Sequence, residues 1–188
     1  GARPCIGDFG MIAPLYAHLG RDPKPLSMMQ ARALRLYRWT ERMNRLEPNA
    51  GAFQIEDDAY RYLPDDHIPD TLIAVLQHMA VDFVPETRAA AKCINEWLDT
   101  EGHKLPAGTQ AQRGVGFASF EVLGTKINAL AQPYRFYLLK RVQDLYAELG
   151  ADDQADVKKL LKSCDMEEIL DISINRQIGR DNNLEVWL

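Results

Sequence analysis

A chain of 188 residues, 46% hydrophobic and 26% charged, has the makeup of an ordinary soluble globular protein with room for one good core or two small ones. Its formal net charge of −5 argues against nucleic acid or an anionic membrane as partner. No run approaches the ~18 apolar residues of a membrane helix, no signal segment opens the chain, and three scattered cysteines (Cys5, Cys93, Cys164) favour a reducing cytoplasm over a disulfide framework or zinc site.

The first element is a helix beginning near Cys5. Phe9, Ile12, Tyr16 and Leu19 recur at helical spacing, and Met11, Ala13, Leu15 and Ala17 fill the other faces. A helix apolar all round is expected to be buried all round. Asp8, three residues after Cys5, has the spacing of a capping box, in which a side chain reaches back to an open N–H at the helix start. Gly20 is expected in the left-handed conformation that ends helices, with Pro23 and Pro25 beyond it.

This stretch resembles the sixth helix of the glutathione S-transferase fold, which opens with a Ser/Thr-x-x-Asp box usually written Ser-Ile-Ala-Asp-Phe. Ile6, Asp8 and Phe9 match it; Cys5 stands where the hydroxyl is usual and Gly7 where Ala is usual. The run Pro14-Leu-Tyr-Ala-His-Leu-Gly-Arg-Asp-Pro23 looks like one bacterial branch of that family. The likeness is specific over residues 1–46, which would correspond to the sixth and seventh helices. It implies a mainly α fold, a helical bundle of the glutathione S-transferase C-terminal type, with residues 47–188 packed into the same domain. Starting directly on the capping motif, the chain reads as a piece of a longer polypeptide, preceded by a thioredoxin-like domain.

In chain order, Asp22–Leu26 reads as a loop and Ser27 as the cap of a second helix to Leu46. Met29, Ala33, Leu36, Thr40 and Met43 form its inward line, and Arg32, Arg35, Arg38, Arg42 and Arg45 its solvated face. Residues 47–70 are broken by Pro48, Gly51, Pro64 and Pro69, with a short helical turn at Glu56–Tyr62. Asp65, Asp66, His67 and Asp70 offer metal-ligand chemistry, but Asp70 is better explained as the cap of the next helix. That helix, 71–100, keeps Leu72, Leu76, Met79, Phe83, Ala90, Ile94 and Trp97 in register at a mean step of about 3.6 residues. It is predicted to continue, kinked, through Pro85.

After a patternless loop at 103–114 the period changes to two. Phe117–Val122 and Ile127–Ala131 predict a β-hairpin around Leu-Gly-Thr-Lys. Pro133 opens a helix to Gly150 with Phe136, Leu139, Val142, Tyr146 and Leu149 inward. A shorter helix capped by Asp152 or Asp153 runs to Cys164, followed by a turn at Met166–Leu170. Alternation at Ile172, Ile174, Ile178 and again at Leu184, Val186, Leu188 predicts a second hairpin over 172–188, turning at Gly179–Asn183. A hairpin alone is marginal, so each is expected to pack on the other or on a helix.

Nothing in the chain matches a phosphate loop, a nucleophile elbow or a metal-spaced His/Cys cluster. The resemblance implies that the parent protein uses glutathione as co-substrate, transferring it to a small hydrophobic electrophile. The thiol-activating residue would lie upstream, leaving these residues with no catalytic group and one wall of the substrate pocket. Tyr16 and His18 are the substrate-binding candidates, and Asp8 with Cys5 the structural cap; for both Tyr16 and His18 packing is the favoured reading, His18 as a core histidine satisfied by a backbone carbonyl and Tyr16 with its hydroxyl paired. The alternative is a non-catalytic interaction or assembly module with the same fold. Either way the bare apolar first helix requires a cover, most simply in a homodimer or from the missing N-terminal domain.

Overall fold

The computed structural model describes residues 4–44 and 63–188, and the chain divides into two units, Gly1–His67 and Ile68–Leu188. The predictions for Arg45, Leu46 and the turn at Glu56–Tyr62 lie outside the described residues. The protein is mainly helical, with two small antiparallel hairpins.

The first unit opens with α1 (Ile6–Ile12), which widens into a π-helical segment (Ala13–Leu19). Pro14 has no N–H to return to the carbonyl one α-turn earlier, and beyond it the ladder runs at the longer π spacing. The Gly20 N–H accordingly bonds the Leu15 carbonyl, five residues back, at 2.8 Å. Gly20 is not left-handed (φ −73°). A glycine suits the position for another reason: a Cβ there would sit 2.9 Å from the Leu15 carbonyl oxygen.

The expected loop at Asp22–Leu26 is instead the first turn of α2 (Pro23–Arg32). Asp22, not Ser27, is its cap, accepting from the Lys24 N–H at 3.2 Å. Prolines suit a first turn because its N–H groups have no intrahelical partner anyway. Ser27 lies inside the helix and donates to the Lys24 carbonyl at 2.8 Å. The single helix expected to Leu46 breaks at Ala33 (φ −136°, ψ 50°), and α3 spans Leu34–Met43. Met29 and Thr40 are buried, Ala33, Leu36 and Met43 half-buried, and Arg32, Arg35, Arg38 and Arg42 exposed.

The expectation of a first helix buried on every side is not met. No residue of α1 or the π segment is buried; Ile6 is 91% and Phe9 60% exposed, and Met11 and Leu19 are exposed too. Met29 and Thr40 are the only buried residues described in this unit, which is too little core to cover an all-apolar helix.

The second unit is built on α4 (Asp70–Thr100), continuous through Pro85. Pro69 precedes it as cap, and Asp70 sits in its first turn, where a carboxylate suits the helix dipole. The period was legible and so, in part, was the phase: of the expected line Ala90 and Ile94 are buried and Leu76, Phe83 and Trp97 half-buried. The covered line is Ile73, Leu76, Ala80, Val84, Thr87, Ala91, Ile94 and Leu98, while Leu72 and Met79, expected inward, are exposed.

Both hairpins pack on the second half of α4. β1 (Phe117–Val122) and β2 (Thr125–Leu130) pair around a two-residue turn, Leu123-Gly124, shorter than predicted. β3 (Ile178–Asp181) and β4 (Leu184–Trp187) pair around Asn182-Asn183. Gly179–Asp181, expected in the turn, belong to β3. Ile172 and Ile174 lie outside any strand, yet pack against the same core as Ile94, Leu98, Ala118, Phe136 and Trp187. The loop expected to be patternless contains a 3₁₀ turn (Gly102–Lys104). Its Gly108–Ala111 stretch pairs with β4: Trp187 N–H donates to the Thr109 carbonyl at 2.9 Å and Ala111 N–H to the Glu185 carbonyl at 2.8 Å.

α5 (Tyr134–Glu148) follows buried Pro133, and only Phe136 and Leu139 of its expected inward line are buried; Val142 and Leu149 are exposed. α6 (Ala151–Ser163) is capped by Gly150, with Asp152 and Asp153 inside its first turn rather than at the cap. Buried Cys164 and Met166 join Ala80 and Val84 of α4 in a second cluster.

Candidate functional site

The sequence-predicted residues all fall in the first unit. Cys5 is exposed and extended (φ −107°, ψ 176°), and its N–H donates to Asp8 Oδ2 at 2.7 Å. The Asp8 N–H in turn donates to the Cys5 carbonyl at 3.0 Å. Asp8 thus ties the helix start to the residue before it, using an N–H that no helical carbonyl could satisfy.

Tyr16 lies half-buried in the π segment. Its hydroxyl accepts from Asn44 Nδ2 at 2.9 Å, and the Arg21 guanidinium lies 5.4 Å from its ring centroid. The ring therefore clamps the end of α3 to the π segment, a packing role as well as a surface. His18, two residues on, is exposed, and its main-chain carbonyl accepts from Arg21 and Asp22. Among the described residues no group of three or more His, Cys, Asp or Glu side chains is placed to hold a metal ion.

The second unit contains two hollows that the sequence did not announce. One, of about 420 Å³, lies between Phe83 of α4 and Tyr134, Leu138, Leu139 and Val142 of α5, with Arg135 and Ile169 also lining it. Arg135 is committed: it pairs with Glu86 at 2.7 Å and donates to the Thr87 hydroxyl at 3.3 Å. The other, of about 250 Å³, is more polar, lined by Lys140, Gln143, Ser173 and Arg176 among others. Gln143 is committed to the main chain, donating to the carbonyls of Ile169 and Ile172 at 2.8 and 2.9 Å. The signal for the first hollow was present in the sequence. Tyr134, Leu138 and Val142 recur every four residues beside the buried Phe136–Leu139 line, giving α5 a second apolar face of which the expected inward line held only Val142.

No family model, curated protein or solved structure matches the chain. No helix among the described residues is long and apolar enough to cross a membrane.

Proposed function

We propose that this chain is the C-terminal helical part of a glutathione S-transferase-like protein, supplying one wall of the pocket for a small hydrophobic electrophile. The observation that carries the reading is the start of α1. Asp8 Oδ2 accepts from the Cys5 N–H at 2.7 Å, the reach-back contact that the family's Ser/Thr-x-x-Asp box is built to make. Tyr16 and His18 are the pocket residues of this reading. The glutathione thiolate, held by a group from an upstream thioredoxin-like segment, would displace the leaving group of the electrophile, and no step uses a residue of this chain as acid, base or nucleophile. The cell compartment of the reading is the cytoplasm, and the partner is a second copy of the chain.

The test compares the 188-residue chain with the product of the full reading frame that contains it, using glutathione and chlorodinitrobenzene and following the thioether product. Conjugation by the longer polypeptide and none by the chain alone is expected. A reading frame without a thioredoxin-like segment, or conjugation by the chain on its own, would overturn the proposal.

A second reading, a non-catalytic interaction module of the same fold, is favoured by the uncovered apolar residues of α1, above all Ile6 and Phe9. Full-length protein that associates through these residues but never consumes glutathione would establish it over the first.

A further inference from the structure

α5 turns apolar lines in two directions. Phe136 and Leu139 are buried in the core of the second unit, while Tyr134, Leu138, Val142, Leu145 and Leu149 run along the outside at steps of three and four residues. Leu145 is 65% exposed and Val142 54%. Together the five present on the order of 500 Å² of surface, the upper range for a monomer and over half of what one partner gives a standard interface.

The edge of this line is charged in a particular order. Arg141 and Glu148 are both exposed and, seven residues apart, lie on the same side of the helix. Among the described residues neither has an ion-pair partner, whereas Lys140 pairs with Asp144 and Arg135 with Glu86.

We infer that this face of α5 is a self-association surface that pairs antiparallel with α5 of a second copy. The inference rests on the homodimer proposed above and names its surface. Two-fold symmetry returns every contact: what residue i gives to j, j gives back to i. In an antiparallel register Val142 meets Leu145 of the second copy and Leu138 meets its Leu149, so four of the five exposed residues find an apolar opposite and Tyr134 lies beyond the paired stretch. The same register sets Arg141 beside Glu148 of the second copy and Glu148 beside its Arg141, an attractive pair made twice. Parallel pairing would carry this edge of each helix to opposite sides of the seam and make neither contact. The self-complementary charges are what select a second copy over an unrelated apolar partner.

Sedimentation velocity of the whole chain across a concentration series tests this. Dimer is expected, and Leu145→Glu is expected to shift it to monomer with an unchanged far-ultraviolet spectrum, since the side chain is exposed. Arg141→Glu and Glu148→Arg should each weaken association by about tenfold, and the double swap should recover it. A dimer indifferent to Leu145→Glu and to both charge reversals overturns this surface and leaves the homodimer standing. A double swap no tighter than the single variants overturns the antiparallel register. A chain monomeric at every concentration overturns surface and homodimer together.

Discussion

The guanidinium of Arg176 lies 5.9 Å from the ring centroid of Trp187, which is fully buried. From there it donates to three main-chain oxygens at 2.9 Å each, those of Gly102, Leu105 and Leu188. One side chain thereby fastens the turn after α4 to the end of β4, over an indole that lies tilted by 33° against Trp97, centroids 5.7 Å apart, and donates to Gln112 at 2.8 Å. Removing the fork leaves the Leu105 carbonyl without its donor and takes one from those of Gly102 and Leu188, so Arg176→Ala should lower the unfolding free energy by about 2 kcal/mol. Arg176→Lys keeps the charge but has no planar fork to spread over three acceptors, and should lose about half as much. Urea unfolding followed by tryptophan fluorescence measures both; a lysine variant as stable as the wild type would mean that the fork is dispensable.

The turn of the first hairpin holds a residue in the wrong conformation for its type. Leu123 and Gly124 both have positive φ (49° and 77°), as a two-residue hairpin turn of the I′ type demands. Glycine adopts this freely; leucine pays a Cβ clash of roughly 1–2 kcal/mol. Leu123 is 88% exposed, so no packing repays the strain. Leu123→Asn should therefore raise stability by about 1 kcal/mol, seen as a higher urea midpoint with an unchanged slope. The second hairpin already carries this solution, with Asn182 and Asn183 at φ 44° and 63°.

Those two turns also mark what the sequence makes legible. Period-two alternation located β1 to the residue because Phe117–Val122 has a partner strand close in sequence, and local pairing leaves a local pattern. The same alternation misled at Ile172 and Ile174. That segment carries its apolar residues to the core as a strand does, but side chains satisfy its backbone: Asn95 Oδ1 accepts from Asn175 N–H at 2.8 Å, and Gln143 donates to the Ile172 carbonyl at 2.9 Å. Gly108–Ala111 is the converse, a real pairing with β4 written in small and polar residues that carry no alternation. In α4 the period survived because it is intrinsic to the helix. The phase held at Ala90 and Ile94 and slipped in the first half, where Leu72, Ile73, Val75, Leu76, Met79 and Ala80 are all apolar and two neighbouring lines fit equally. For the candidate site, the Asp8 contact could be read from a spacing of three. Of the hollow beside α5, the helix's own side is written in Tyr134, Leu138 and Val142 at every fourth position, whereas Phe83 lies about fifty positions away and nothing local assigns it.

Asp8 offers a test that separates a local cap from a global role. α1 has no buried residue, so little of the protein's cooperative core depends on it. Asp8→Ala frees the Cys5 N–H and should cost the helix about 1 kcal/mol. The loss should appear as faster amide hydrogen exchange at Phe9–Ile12, with the global urea midpoint unmoved. If the midpoint falls as well, α1 is part of the cooperative unit and the cap acts on the whole fold.

The three cysteines should differ in reactivity by environment. Cys5 is exposed, Cys93 half-buried and Cys164 fully buried. At Cys93, burial first and the neighbouring Glu96 second both raise the thiol above the ordinary value of 9.0, because each disfavours the thiolate. A chromogenic disulfide reagent at pH ~8 should therefore label Cys5 fastest, Cys93 slowly and Cys164 only on unfolding. The same shift links Cys93 to stability. A group whose pKa is raised in the folded state holds its proton more tightly there, so its contribution is complete below the unfolded thiol pKa and lost as pH climbs through the higher folded value. The stability difference between the wild type and Cys93→Ala should thus be constant through neutral pH and shrink above pH ~9. A difference that stays flat to high pH, or Cys93 labelling as fast as Cys5, would place that thiol in water rather than against the core under β1.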